Sequence, residues 1–499
     1  MKNTQNDNVK PNKQQRAEQK RQSAEEEAAK RKQLKDAKLA EKLAKAQQRK
    51  QERLQKEKQL TEDERLQLRL QAIAERQKNN KKWYKLDNAA LMYPMISREE
   101  GISVFRLSVL LKDKVDAEKL QLAVNDICGR FPTICGCVKN GWFWPFIDKP
   151  SVPIVVKKQT KLPGRPMKLD SRRSQIRVNY YENQIAVEFF HSATDGTGGI
   201  IFLNSLVRRY FQLLGIDSDT TNCCDYRDKP SLEEIRDNFA MVAVHKNPPP
   251  CPKKVKSVTI KGTPLAGRYM CVRGICSASE LQKVAHEHNA TITEFIGAVQ
   301  LLSLAKLAKV TATSDKNPIR ILVPVNLRKM YNLETVRNFS NYIFYQYNGQ
   351  DSLDEVIADV KQQVAAQMTD DYFRGMVSFN YNSEQIPFLK IVPLPIKRLF
   401  LGMIINGRGD GTVNCSTLSN LGVVKAPKEF SEHVSRYDFM LGKPAKNTVN
   451  FTVATYNDVC VISQINPFAE KDCEKTFFRT LAELGIHLAM ESDIWEDAE

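Results

Sequence analysis

One imidazole in this 499-residue chain stands in a setting that could do chemistry: the run His191-Ser192-Ala193-Thr194-Asp195-Gly196-Thr197-Gly198-Gly199. A neutral imidazole accepts a proton from a hydroxyl or an amine, and burial keeps the ring neutral at pH 7 because desolvation disfavours the cation. The residues before it alternate so that Ile185, Val187, Phe189 and His191 share one strand face. The spacing therefore predicts an inward-facing general base. Gly196, Gly198 and Gly199 permit a sharp turn and a close approach to the backbone, and Ile201, Leu203, Leu206, Val207, Tyr210 and Phe211 follow with helical spacing. A strand thus hands the ring to a turn that opens a helix.

The other five histidines, His245, His286, His288, His433 and His487, lack such surroundings. His286 and His288, if helical, point about 200° apart, so they do not form a two-histidine metal site. Cys135-Gly136-Cys137 and Cys223-Cys224 have neither the spacing nor the partner histidines of a zinc site, and no metal is assigned. A Walker-type phosphate loop is also missing from the sequence.

The elements that position the histidine are readable in outline. Ser103 to Lys112 reads as a strand, Asp116 as an N-cap for a helix through Ile127, and Arg172–Tyr181 with Gln184–His191 as a hairpin turning at Glu182-Asn183. Trp142, Phe143, Trp144 and Phe146 are expected in the core, since large aromatics in strands usually pack inside. Ser277-x-x-Glu280 and Thr291-x-x-Glu294 resemble capping boxes opening two helices. Ile319 to Val325 reads as an apolar strand ending in Asn326-Leu327-Arg328, Ile343 to Tyr347 as another, and Asn447 to Asn466 as a hairpin turning at Asn457-Asp458. Both halves are therefore α/β.

Charge divides the chain. Residues 1–82 carry 24 Lys/Arg against 13 Asp/Glu, and the rest holds only +6 of the net +17. From Gln14 to Gln77 there is no Pro, Gly or aromatic residue, and good helix formers dominate. This predicts a long charged helix or disordered extension; its leucines keep no sustained coiled-coil seam. Such a tail suits an anionic surface or an acidic protein, whereas specific nucleic-acid binding is not expected, because aromatic residues for base stacking are missing. Pro248, Pro249, Pro250 and Pro252 with Lys253, Lys254 and Lys256 mark a stiff crossover. The expected organisation is a charged extension at 1–82, a first lobe at 83–245, a linker at 246–262 and a second lobe at 263–499. Eleven cysteines, an opening without a secretory core and no run of about 18 to 20 apolar residues point to a reducing, cytoplasmic compartment without a transmembrane segment.

His191 to Gly196 resembles the HxxxDG motif of the CoA-dependent acyltransferase superfamily, which includes chloramphenicol acetyltransferase, plant BAHD enzymes, alcohol acetyltransferases and peptide-synthetase condensation domains. The resemblance runs from about Lys85 to Met490, through Tyr93-Pro94, Gly129-Arg130-Phe131-Pro132, Val323 to Arg328 and Ser419-Asn420-Leu421-Gly422, and looks like the alcohol acetyltransferase branch. The DFGWG motif of the plant enzymes is missing, and Phe190 stands where condensation domains place a second histidine.

The resemblance implies two open-sandwich lobes with a tunnel between them, and His191 as the general base that helps an alcohol or amine attack an acyl-CoA thioester. Acyl-CoA is then a co-substrate, and no cofactor is held permanently. Asp195 either orients the imidazole or, as in relatives, holds the loop by pairing with an arginine, here Arg328; Gly196 completes the turn. Ser416, Thr417, Ser419 and Asn420 are candidate oxyanion or substrate contacts, in a segment that crosses toward the site in relatives. A condensation-type enzyme using carrier-bound acyl groups and a catalytically silent scaffold recruited through the basic tail are the competing readings.

Overall fold

The computed structural model describes residues 83–96, 104–260, 262–265, 269–311, 317–350, 352–407, 414–442 and 449–493. The charged extension expected at 1–82 lies outside the described residues.

In chain order the elements are β1 (Trp83–Lys85), α1 (Asn88–Ile96), β2 (Val104–Leu111), α2 (Ala117–Ile127), β3 (Cys137–Asn140), β4 (Pro145–Asp148), β5 (Lys157–Lys158), β6 (Ile176–Tyr181), β7 (Gln184–Phe190) and α3 (Gly196–Leu213). After the proline-rich connection come β8 (Met270–Ser277), α4 (Ala278–Glu287), α5 (Ile292–Thr311), β9 (Ile319–Asn326), β10 (Ser340–Tyr347), α6 (Leu353–Gln367), α7 (Asp370–Gln385) and α8 (Leu394–Gly407). The chain closes with β11 (Ser416–Val423), β12 (Val434–Leu441), β13 (Val449–Tyr456), β14 (Val459–Asn466), α9 (Asp472–Glu483) and β15 (Ala489–Asp493).

Local chemistry sets many of these boundaries. The Asp116 carboxylate accepts from the Glu118 and Lys119 amides at the start of α2, and Ser277 accepts from Glu280 N at the start of α4. Thr291 and Glu294 bond each other's backbone amides at the start of α5, at 3.3 and 2.9 Å. The β13–β14 hairpin turns on Asn457 and Asp458, both at positive φ (45° and 64°), the backbone that a two-residue primed turn needs.

The architecture is α/β with two principal sheets. The first has the order β12-β2-β7-β6-β5, and the second β10-β9-β11-β13-β14-β8-β15. A small antiparallel sheet, β1-β4-β3, flanks them. Helices α2 and α3 pack on the first sheet around Phe105, Leu107, Val124, Phe189, Phe202 and Leu206. Helices α5, α6 and α9 cover the second around Phe295, Val299, Val360, Phe451 and Phe477.

The lobes interlock. β12 belongs to the second half of the sequence, yet it pairs antiparallel with β2 from Val434↔Leu111 to Leu441↔Phe105. β13 faces both cores, with Phe451 and Val453 in the second and Ala454 and Tyr456 in the first. The Thr452 hydroxyl donates to Phe439 O at 2.6 Å, tying β13 to β12.

One expectation needs correction. Trp142 is 86% exposed and Phe143 43%, because they form the tip of the β3–β4 hairpin rather than a core layer. Strand β7 is buried on both faces: Glu188, on the face opposite Phe189, is covered and paired with Arg106 at 3.4 Å and Arg177 at 2.8 Å. Its alternation thus separates an apolar face from a second covered face that holds a buried ion pair.

Candidate functional site

His191 follows the last residue of β7 and lies in the turn before α3. Its ring stacks on Tyr93 of α1, with centroids 4.6 Å apart and planes 11° from parallel, and meets Phe105 of β2 edge-on at 5.1 Å. The residue keeps partial solvent contact, but Nδ1 is fully covered and has no partner of hydrogen-bond geometry. Burial lowers the pKa of the ring below its ordinary value, outweighing its own backbone carbonyl, Asp195 and the Asn338 side chain, which all favour the cation. The imidazole is therefore mostly neutral at pH 7, as a proton acceptor must be.

The turn is fixed by Asp195. Its side chain caps α3 by accepting from Gly198 N at 3.1 Å, and it accepts from Phe339 N at 2.9 Å. The Arg328 guanidinium meets it with two nitrogens, Nη1 to Oδ2 at 2.9 Å and Nη2 to Oδ1 at 3.0 Å. Both side chains are buried, at 5% and 10% exposure. Burial alone would raise the Asp195 carboxyl, but Arg328 and the two amides hold it below the usual carboxylate range. The Asp195 carboxylate is therefore occupied by the arginine and two backbone amides. A bidentate, buried pair of this kind fixes direction as well as distance.

Gly198 stands where the two halves of the chain meet. A Cβ there would lie 2.2 Å from Val336 O and 2.2 Å from Thr194 Oγ1, so only glycine fits. The Thr194 hydroxyl donates to Val336 O at 2.6 Å, and the Asn326 amide to the Thr197 hydroxyl at 3.1 Å. At Gly196 the nearest atom to an added Cβ would be Leu421 Cδ2, at 2.5 Å. The end of β11 therefore touches the start of α3.

One segment, Thr335 to Phe339, braces the turn that carries the histidine. Thr335 O and Arg337 O accept from Arg328 at 2.9 and 2.6 Å, Val336 O receives Thr194, and Phe339 N donates to Asp195. The Arg337 side chain reaches Asp87 at 3.3 Å, and Asp87 accepts from Ala90 N at 2.7 Å, holding the first turn of the helix that carries Tyr93. The Asn338 amide acts on both His191 and Asp87. The reading from sequence missed Thr335 to Phe339; its one signal is the density of polar residues, Thr335, Arg337 and Asn338, directly before an apolar strand.

The candidate contacts on β11 differ among themselves. Ser416 is fully buried: its hydroxyl donates to Val449 O and accepts from Gln300 at 2.7 Å. Asn420 donates to the Thr293 hydroxyl at 2.9 Å and accepts from Gly422 N at 2.7 Å. Thr417 and Ser419 are half-buried on the same strand and share the face opposite to that of Ser416, Leu418 and Asn420. Among the described residues no cluster of three His, Cys, Asp or Glu side chains is arranged to hold a metal ion. No single helix among them is long and apolar enough to cross a membrane.

No protein-family model matches the chain, and no curated protein sequence matches it. Solved structures do. The first condensation domain of the CDA synthetase is 13% identical, with 82% of this chain and 99% of that one covered at a TM-score of 0.51. The trichothecene 15-O-acetyltransferase of Fusarium sporotrichioides is 12% identical over 80% of this chain and 94% of that one, at 0.52. The starter condensation domain of rhizomide synthetase, solved in complex with C8-CoA, is 10% identical over 82% and 98%, at 0.51. The chain thus has the two-lobed α/β fold of condensation domains and of this acetyltransferase.

Proposed function

We propose that this protein is an acyltransferase that moves an acyl group, acetyl in the leading reading, from acyl-CoA to an alcohol or amine, with His191 as general base. The observation that carries this reading is the neutral, stacked imidazole at a strand end, set in a turn locked by Asp195 and Arg328.

His191 takes the proton of the acceptor hydroxyl or amine as that group attacks the thioester carbonyl. Collapse of the tetrahedral species breaks the carbon–sulfur bond, and the departing thiolate receives the proton from the imidazolium. No covalent enzyme intermediate is formed. A positioned base contributes roughly 10² to 10⁴-fold, so alignment of the two substrates and donors to the oxyanion supply the remainder. Thr417 and Ser419 are the better donor candidates on β11, because the Ser416 hydroxyl and Asn420 amide already serve internal bonds. Asp195, Gly196 and Arg328 hold the turn.

The test is thiol release from acetyl-CoA and octanoyl-CoA across a panel of alcohols and amines, with wild-type protein and His191→Ala. Acceptor-dependent release that disappears in the variant supports the reading; equal release by both overturns it. The likeness to condensation domains favours one further arm, an acyl group on a phosphopantetheinyl carrier protein. Transfer from the carrier but not from CoA would favour the condensation-type reading. The expected compartment is cytoplasmic, and residues 1–82 are proposed to adsorb to anionic surfaces through charge alone.

A further inference from the structure

Large apolar side chains are exposed beside the flanking sheet. Ile386 to Ile391 and the first turns of α8 expose Phe388 (68%), Ile391 (67%), Leu399 (64%) and Phe400 (56%). Within α8, Ile396, Leu399 and Phe400 follow at the spacing of one helix face, while Leu394 and Lys397 turn to the opposite, buried side. Helix α8 is anchored on the hairpin tip: Leu394 N donates to Trp142 O at 2.9 Å, and the Lys397 ammonium donates to Phe143 O at 2.8 Å and lies 3.4 Å from the centre of the Trp144 ring. The 86%-exposed Trp142 thus belongs to the hairpin tip on which the start of α8 rests. Soluble monomers rarely leave so many large side chains together in water, because each costs about 1.5 to 3 kcal/mol relative to burial.

The charges around this face select its occupant. From Ile386 to Gly407 there is no Asp or Glu, and with Lys397 buried under the helix, Lys390 and Arg398 are the cations left beside the exposed face. A second copy meeting the same face across a two-fold axis would bring these cations together with no acid to offset them. The chain's own residues 1–82 carry a net positive charge and no aromatic side chain, and fit no better. Bulky aliphatic and aromatic side chains beside Lys and Arg, with a tryptophan at the edge, match a bilayer interface, where apolar groups enter the acyl boundary and cations meet anionic headgroups. At 14 residues α8 is about 21 Å long, too short to cross a hydrocarbon core of about 30 Å, so it would lie in the plane of the surface.

We infer that the face formed by Ile386–Phe400 and the Trp142 hairpin tip docks the protein on an anionic lipid bilayer. The patch borders the site: α8 packs on α1, the helix whose Tyr93 stacks on His191.

The experiment is sedimentation of the full-length protein with vesicles of phosphatidylcholine and phosphatidylserine at high salt, where attraction through the charged tail is screened. It reads lipid binding, not acyl transfer, so its failure is separate from failure of the proposed activity. Wild-type protein is expected to sediment with the vesicles, and Phe388→Ser/Leu399→Ser/Phe400→Ser to bind on the order of a hundredfold more weakly with an unchanged melting temperature. Brominated lipids should quench the tryptophan fluorescence of wild type and lose most of that quenching in Trp142→Phe. Binding that high salt abolishes, or that the triple variant retains, would overturn the inference. So would a triple variant that loses only a dimer by light scattering, since that outcome assigns the face to a second copy.

Discussion

The rings of Tyr93 and His191 lie 4.6 Å apart and 11° from parallel, so the orientation of the proposed base is set by a helix distant from it in sequence. Tyr93→Phe keeps the stacked ring and is expected to retain most acyl transfer. Tyr93→Ala frees the imidazole and should lower kcat about tenfold or more with little change in KM, because misplacing a base affects the transition state more than binding. Steady-state kinetics of the two variants decide this.

Burial keeps the His191 pKa below its ordinary value of about 6.5, so the acid limb of the rate profile should fall below that pH. The Asn338 side chain favours the cation, and removing it has a definite sign. Asn338→Ala should shift the limb further toward acid, whereas Asn338→Asp, which sets a carboxylate beside the ring, should shift it toward alkaline pH. A profile of kcat/KM against pH that does not move in either variant would show that Asn338 does not act on the base.

Arg328 and Asp195 form a buried pair, and removing one partner leaves the other charge uncompensated at a cost of about 3 to 5 kcal/mol. Asp195→Ala and Arg328→Ala should each lower the melting temperature and activity, with the double variant less damaged than the sum. A double-mutant cycle by denaturant unfolding measures this coupling, and additive losses would contradict it.

At Gly198 a methyl group would meet the Val336 carbonyl, a backbone atom that cannot rotate aside. Gly198→Ala is expected to lose about 1 to 3 kcal/mol of stability and most of the transfer activity. Gly215, where an added Cβ meets nothing within 4 Å but φ is +86°, is the control for backbone strain without a clash. Thermal unfolding of both variants separates the two effects.

Burial, with Asp237 and Asp87 nearby, pushes Glu384 up to about 8, and burial pushes Asp87 up to about 6 despite Arg337. Both folded values exceed those of the unfolded chain, so the stability linked to these groups is fully present below about pH 4 and is lost as pH rises through about 6 and then about 8. Their contribution should make the melting temperature fall between about pH 4 and 8, more steeply below about 6, where both groups contribute, than above it. Glu384→Gln should flatten the upper part of that fall.

Local signals made much of the fold readable. Asp116 and Ser277 cap helices by bonds to amides two or three residues on, and Asn457-Asp458 turns a hairpin by its own backbone preference. The strand, turn and helix around His191 are legible for the same reason. Thr335 to Phe339 was not, because its contacts with Arg328, Thr194, Asp87 and Asp195 join residues from 7 to more than 240 positions apart. Trp142 and Phe143 were misplaced because a rule for average strands puts aromatics inside, and the sequence alone does not reveal a hairpin tip abutting another apolar helix.

Strand β12 gives the first sheet an edge encoded more than 300 residues after its partner β2. A chain cut in the proline-rich connection would leave the first fragment with β2 paired to β7 on one side only, and its other side a hydrogen-bonding edge open to any other strand. Expressed alone, that fragment should aggregate; made together with the remainder, it should regain the missing edge by complementation. The two lobes should therefore fold as one unit, and fusions that exchange a single lobe should fail unless β12 travels with the sheet it completes.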